Sequence, residues 1–174
     1  MHLLITAFEP FGIRRRLSNE NASLQVLERI RQQFGTRYSY LGLPADDSCE
    51  SRLGNVLEAD PPEGVVCLGE LLHLDPRSVR VEPAAIRAPL SPWPRFGRGT
   101  EVGSVFASSI VCEDQSVRRT GIGLYYCNRV YLHALEWSER HQVPAVFLHI
   151  PVFGSRDRHT TQVKAVVDKI ERSG

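Results

Sequence analysis

Three short, almost wholly apolar runs constrain the fold of this chain more than any other feature of its sequence. They are residues 3–8, 64–68 and 144–150. A strand with apolar side chains on both sides has to be covered on both faces, as the central strands of parallel sheets are. Segments with apolar residues at helical spacing alternate with these runs. They are residues 21–34, 47–59, 128–140 and 162–172. The alternation predicts an α/β fold in which helices flank a central sheet.

Weaker patterns add two strands and one irregular stretch. Residues 38–43 are a second strand candidate, and the alternation in residues 79–81 is typical of an exposed or edge strand. Residues 83–100 instead contain four prolines and two glycines. Because proline removes backbone donors, we expect this stretch to run as a long loop beside whatever site the neighbouring residues form.

Length and charge limit the class of protein. The chain has 174 residues, enough for one domain with a real core, and we expect residues 1–174 to form a single domain. A net charge of +1 gives no long-range field that would attract nucleic acid or an anionic membrane. No run approaches the roughly 18 apolar residues that span a bilayer, and the first residues lack the basic lead of a signal peptide. We therefore expect a cytoplasmic protein with neither nucleic acid nor membrane as a partner.

The four cysteines include the first candidate for chemistry. Their spacing is irregular and contains no CxxC pair, so it indicates neither a zinc site nor a redox motif. Without a secretion signal, reduced thiols in a cytosol are expected. Cys127 stands immediately before a predicted helix, where the positive end of the helix dipole favours the nucleophilic thiolate. Taken alone, a free cysteine is more commonly buried and inert.

Two further residues could act with Cys127. His149 lies at the end of a predicted buried strand, where open α/β sheets form their ligand crevices, and it could serve as a general base. Glu82 follows the alternating strand and could orient an imidazole, the third role in a catalytic triad. Considered one at a time, a satisfied core histidine and a solvated glutamate are the commoner roles.

Five short segments, read together, resemble pyroglutamyl peptidase I, the pyrrolidone-carboxylate peptidase family. They are residues 8–12 (FEPFG), 66–69 (VCLG), 81–86 (VEPAAI), 123–128 (GLYYCN) and 147–151 (FLHIP). Each segment is only a few residues long, but all five occur in the order of the family and together they span most of the chain, from residue 8 to residue 151.

The resemblance implies a fold, a reaction and a set of site residues. The fold is an α/β sandwich with a mixed central sheet flanked by helices, of the phosphorylase/hydrolase-like type. The reaction removes an amino-terminal pyroglutamate from a small peptide or amide substrate, with Cys127 as nucleophile, His149 as base and Glu82 orienting the base. No metal or cofactor is implied, and a homo-oligomer is left open. The substrate-binding candidates are Phe8, Phe11, Glu70, Tyr125 and Tyr126.

The sequence departs from the family directly after Glu82. The Asp-Ala-Arg motif with which the family helps enclose its substrate is missing, and neither Arg87 nor Arg95 stands at the matching distance. We therefore expect pyroglutamyl hydrolysis to be weak, with another small capped amide accepted comparably or better. Two alternatives stay open: a cysteine hydrolase of another small amide, and a non-catalytic relative used for binding.

Overall fold

The predicted apolar runs form the centre of a five-stranded sheet. The computed structural model describes residues 1–11, 21–72, 75–87, 100–107 and 125–173. The strands within them are β1 (Leu3–Phe8), β2 (Ser39–Leu43), β3 (Gly64–Leu71), β4 (Arg80–Glu82), β5 (Ala84–Arg87), β6 (Thr100–Gly103) and β7 (Ala145–Pro151). The larger sheet has the order β2-β1-β3-β7-β4, and β5 pairs with β6 in a separate two-stranded sheet.

The five-stranded sheet is mixed. Strands β1, β2, β3 and β7 run parallel, whereas β4 is antiparallel to β7 and forms the edge of the sheet. The antiparallel register sets Glu82 opposite Phe147 and Arg80 opposite His149. The edge strand that the alternation of residues 79–81 predicted is therefore confirmed, and it lies beside the strand that carries His149.

Four α-helices of the described residues cover the two faces of this sheet. They are α1 (Ala22–Phe34), α2 (Cys49–Ala59), α3 (Tyr126–His141) and α4 (Arg156–Ser173). Successive side chains of a strand point to opposite faces. Leu3 and Ile5 accordingly share a core with α1 and α4, while Leu4 and Phe8 share one with α2 and α3. This architecture confirms the predicted fold class, an α/β structure with a mixed sheet between helices.

The helix boundaries show where apolar spacing is informative. Helix α1 begins where predicted, because the side-chain oxygen of Asn21 accepts hydrogen bonds from the N–H groups of Ser23 and Leu24, at 2.9 and 3.3 Å. Helix α4 begins at Arg156, six residues or about 1.7 turns before the predicted residue 162. Its first turns bury a polar residue, His159, so the apolar stripe does not reveal them.

The prediction of a loop throughout residues 83–100 is wrong for both of its ends, since Thr100 begins β6. Ala84 to Arg87 form β5, which pairs antiparallel with β6. Proline excludes backbone donors only where it stands, and residues 84–87 contain none. Residues 88–99 lie outside the described part of the chain.

Membrane insertion has no candidate segment among the described helices. None of them combines the length and the low polarity that a bilayer span requires.

Candidate active site

The candidate residues meet at the carboxyl ends of β3 and β7. In the parallel ladder, Gly69 of β3 is the partner of His149 of β7. Both residues lie near the ends of their strands, the position at which open α/β sheets place ligands. Strand β4 and the first turn of α3 border the same region, since β4 pairs with β7 and Cys127 of α3 lies against Gly69.

Glu82 and His149 form a buried hydrogen-bonded pair. His149 Nδ1 lies 2.7 Å from Glu82 Oε1, and the two side chains are 3% and 0% exposed. A carboxylate accepts hydrogen bonds, so Nδ1 carries the ring proton and donates it to Glu82. In the neutral imidazole this leaves the lone pair on Nε2. The pair thus presents an oriented base with a fixed tautomer, as an active-site imidazole requires.

The surroundings of this pair hold both partners in place. The hydroxyl of Tyr131, on α3, donates a hydrogen bond of 2.9 Å to the backbone carbonyl of Glu82. The ring of Phe147 meets the ring of His149 edge-on, with centroids 4.9 Å apart. Both Tyr131 and Phe147 are fully buried. The carboxylate and the imidazole are therefore fixed by packing as well as by their mutual bond.

Cys127 reaches the same region from α3. It occupies the second position of the helix, in which Tyr125 precedes the first residue, so the helix starts two residues earlier than predicted. The space between β3 and α3 is narrow here: a Cβ atom on Gly69 would lie 3.1 Å from Cys127 Sγ and 2.6 Å from Phe147 Cζ. Since Gly69 is the ladder partner of His149, the lack of a side chain on Gly69 lets the sulfur approach the strand beside the imidazole.

The thiol of Cys127 is neutral in this conformation, contrary to the expectation from its helix position. Burial raises the pKa of Cys127 to about 12, and the nearby carboxylate of Glu82 acts in the same direction. A hydrogen bond from the cysteine's own backbone N–H lowers the pKa but does not compensate. Loss of water around the sulfur therefore outweighs the helix dipole. A thiolate would have to form together with a proton transfer.

The aromatic candidates for substrate binding differ in exposure. Phe8 is buried in the core with only 3% exposed, whereas Phe11 is 49% exposed and Tyr125 is 81% exposed. Tyr126 is half-buried, and the guanidinium of Arg129 lies over its ring at 5.6 Å. Of the four rings, Phe11 and the two tyrosines offer surface from which a ligand could be contacted.

Glu70 has a structural contact. Its Oε2 accepts a hydrogen bond of 2.6 Å from the backbone N–H of Ala22, in the first turn of α1. A carboxylate is favoured there because it faces the positive end of the helix dipole. A role for this side chain in substrate binding stays a prediction.

Sequence reasoning missed the role of Asn128, which follows the candidate nucleophile. Its side chain bridges the backbone of Ile86 in β5: Oδ1 accepts from the Ile86 N–H at 2.6 Å, and Nδ2 donates to the Ile86 carbonyl at 2.8 Å. Asn128 is 5% exposed. The bridge ties the start of α3 to the chain that continues from Glu82. The only signal that the sequence offers for it is an asparagine directly after the candidate nucleophile.

Solved structures share this fold at low sequence identity. A mutant of the pyrrolidone carboxyl peptidase from Pyrococcus furiosus matches with a TM-score of 0.76 and 18% identity, and 99% of each chain is covered. The pyrrolidone carboxyl peptidase from Thermococcus litoralis matches with a TM-score of 0.68 and 21% identity, over 99% of this chain and 96% of that one. No profile of a known protein family and no curated protein matches the sequence. At these identities the similarity shows the fold, which is the one that the sequence resemblance implied.

Proposed function

We propose that this chain, as a single domain, is a cysteine hydrolase that removes an amino-terminal pyroglutamate from peptides, with Cys127 as nucleophile, His149 as base and Glu82 orienting the base. The observation that carries the proposal is the buried 2.7 Å hydrogen bond between His149 and Glu82, on the sheet face that the first turn of α3, with Cys127, covers. A buried carboxylate fixes an imidazole in the strand whose ladder partner, Gly69, packs against the thiol, so the site holds the three groups that such a reaction uses: a nucleophile, a base and an orienting group.

The reaction follows from the tautomer of His149. Its Nε2 takes the proton of the Cys127 thiol while the sulfur attacks the carbonyl carbon of the pyroglutamyl residue, and the carbonyl oxygen becomes an oxyanion. The imidazolium is stabilised by the carboxylate of Glu82. When the carbon–nitrogen bond breaks, the imidazolium returns its proton to the leaving amine, and a thioester remains. Water then attacks the thioester carbonyl, with His149 again taking the proton, and releases the acid and the free thiol.

The start of α3 supplies groups that suit the oxyanion. The first backbone N–H groups of a helix make no hydrogen bonds within the helix, and those of Tyr126 and Cys127 belong to this set. Donors of this kind stabilise the charge that develops on the carbonyl oxygen. The neutral resting thiol fits a mechanism in which proton transfer accompanies attack, so that no isolated thiolate is buried beside Glu82.

The similar solved structures support the choice of substrate class. Both are named pyrrolidone carboxyl peptidases, and they share the fold over nearly the whole chain. The corresponding test is the hydrolysis of a pyroglutamyl-coumarin amide by purified protein. Wild type should release the fluorophore, Cys127→Ala should be inactive, and Cys49→Ala, a buried cysteine in α2, should retain activity. Release by Cys127→Ala at the wild-type rate would refute the nucleophile.

Glu82→Gln tests the role of the carboxylate separately. A glutamine can donate its amide hydrogen to Nδ1 of His149, which moves the ring proton to Nε2 and leaves no lone pair for the thiol. In serine proteases the matching substitution lowers kcat by about 10⁴-fold. We expect a loss of about 10²–10⁴-fold here, with KM little changed. An unchanged kcat would show that Glu82 does not orient the base.

A different small capped amide is the second candidate substrate, and one contact favours it. Arg87, which could have replaced the missing cation of the family's substrate motif, donates a 2.7 Å hydrogen bond to Glu136 on α3. It is therefore held by a surface ion pair. Arg95 lies outside the described residues. A panel of acyl- and aminoacyl-coumarin amides decides between the candidates: comparable or faster cleavage of another capped amide supports the second, and exclusive cleavage of the pyroglutamyl amide supports the first.

A further inference from the structure

The two strands that carry Glu82 and His149 are tied together a second time, outside the candidate site. Strand β4 has only three residues, and its three ladder pairs with β7 fix the distance between the carboxylate and the imidazole. Three residues of pairing at a sheet edge resist fraying poorly. The segment that leads into β4 and the segment that leaves β7 therefore need other anchors.

The N-terminal turns of α4 provide those anchors for the segment before β4. His159 Nε2 lies 2.8 Å from the carbonyl oxygen of Pro76, and Gln162 Oε1 accepts a 3.1 Å hydrogen bond from the N–H of Val79. Val79 stands three residues before Glu82. Two side chains on successive turns of one helix thus hold the backbone that enters β4.

The same helix also holds the last residue of β7 and the residue that follows it. Arg156 Nη1 donates to the carbonyl of Pro151 at 2.8 Å, two residues after His149, and Nη2 donates to the carbonyl of Val152. Arg156 Nη1 also lies 3.2 Å from His159 Nδ1. The guanidinium is a donor, so Nδ1 accepts and the ring proton is on Nε2, where it is donated to Pro76. One neutral imidazole therefore links the two segments.

Gly154 shows how closely the two segments approach. Its φ is +105°, a conformation that favours glycine, and a Cβ atom there would lie 2.1 Å from the carbonyl oxygen of Pro76. His159 itself is fully buried. The segments around Pro76 and Gly154 are therefore packed directly against each other, and the ring of His159 is bonded to the Pro76 carbonyl at this contact.

We infer that His159 is a positioning residue, which acts with Arg156 and Gln162 to hold β4 against β7 and so keeps Glu82 in register with His149. This inference rests on the proposed function for its catalytic consequence, because only a hydrolase that uses the pair would lose turnover. The geometric consequence, a change in the bond between Glu82 and His149, does not depend on any activity.

The experiment compares two variants of His159 with a matched histidine. His159→Leu removes both hydrogen bonds, whereas His159→Gln keeps an amide nitrogen that can donate to Pro76. His141→Leu is the control, because its Nδ1 lies 2.8 Å from a carbonyl of its own helix, that of Trp137. The first readout is the ¹⁵N shifts of the two ring nitrogens of His149, read through the ring's carbon-bound protons, which report the tautomer. The second is kcat and KM on the coumarin amide that wild type cleaves fastest.

We expect His159→Leu to shift His149 away from the Nδ1–H tautomer and to lower kcat by about 10²-fold, the loss typical of a misplacement of about 1 Å, with KM little changed. His159→Gln should keep most of the wild-type tautomer of His149 and most of the wild-type kcat, and His141→Leu should behave as wild type. If His159→Leu does not fold, Gln162→Leu, which removes one bond, takes its place with the same expectation. An unaltered tautomer and kcat in the Leu variant, or a Gln variant no better than Leu, overturns the inference. If wild type cleaves no amide, the proposed function fails, and the tautomer alone still decides whether His159 positions the pair.

Discussion

Replacing Gly69 with alanine tests how tightly the candidate site is packed. The added carbon would lie 2.6 Å from Phe147 Cζ, 2.9 Å from Phe147 Cε1 and 3.1 Å from Cys127 Sγ. Phe147 is fully buried, and its ring centroid lies 5.6 Å from that of Tyr131 and 4.9 Å from that of His149. The Phe147 ring therefore cannot move aside without displacing a ring on either side of it.

The magnitude follows from the movement that the methyl group demands. The ring has to retreat by about 0.8 Å before Cζ reaches an ordinary contact of 3.4 Å. Overpacking of this kind costs about 1–3 kcal/mol, and alanine recovers about 0.5–1 kcal/mol because glycine loses more chain entropy in a strand. We expect Gly69→Ala to lower the free energy of unfolding by up to about 2.5 kcal/mol. Because Cys127 and His149 border the displaced ring, kcat should fall by about 10²-fold.

Urea denaturation and coumarin-amide kinetics measure the two effects. Gly103→Ala in β6 is the matched control, since the nearest atom to its added carbon is 4.0 Å away and there is room for it. The cost of Gly69→Ala should also be smaller in a Phe147→Leu background, which lacks the clashing ring atoms. If Gly69→Ala is as stable and as active as Gly103→Ala, the packing argument is refuted.

Three further tests concern cysteine reactivity, the Asn128 bridge and the pH dependence of stability. Iodoacetamide should alkylate Cys127 before Cys49 and Cys67, because the reagent can reach the half-buried Cys127, whose proton His149 takes on the proposed function, and the other two cysteines are fully buried. Mass spectrometry of partly labelled protein checks this, and equal rates contradict it. Asn128→Asp should lower the free energy of unfolding by about 1–3 kcal/mol, because a carboxylate cannot donate to the Ile86 carbonyl that Nδ2 now satisfies; a urea transition like that of wild type would show that the bridge is dispensable. Burial lowers the pKa of His159 below 6.5 in the folded protein, so between the two pKa values the unfolded chain binds more protons than the folded one. The neutral His159 therefore contributes its full stabilisation above pH 6.5. This contribution is lost as the pH falls from 6.5 towards the lower pKa of the folded state. Urea curves from pH 8 to pH 5 should therefore show a larger loss for wild type than for His159→Gln, and parallel losses would contradict the assignment.

The sequence reveals the frame of this fold because burial leaves a local pattern. The run at residues 3–8 is apolar on both sides and forms a central strand, and the alternation at residues 79–81 marks a strand at the sheet edge. Each pattern reports which faces of one element are covered, so it can be read without knowledge of the partners. The prolines after Glu82 led to a wrong prediction because their effect is local too. A proline removes a backbone donor only at its own position, so it says nothing about the four residues of β5.

The candidate site is less accessible to sequence reasoning because its geometry depends on contacts between distant residues. Glu82 and His149 are 67 positions apart, and only the antiparallel pairing of β4 with β7 brings them into hydrogen-bonding distance. The neutral state of Cys127 is likewise a property of the packed site: a helix start predicts a thiolate, but the burial that reverses the prediction comes from other elements. The roles of Asn128 and His159 leave no periodic signal at all.

The sheet order also governs when the site can form during synthesis. Within the described residues, β4 joins the sheet by pairing with β7. Glu82 therefore cannot bond to His149 until the 67 residues that follow it have been synthesised. At about 5–20 residues per second, the ribosome needs several seconds to supply them. Cys127 emerges before His149, so it is without that imidazole in the interval. On the proposed function, the chain cannot hydrolyse an amide before β7 has been synthesised, because β7 completes both the core and the pair of Glu82 with His149.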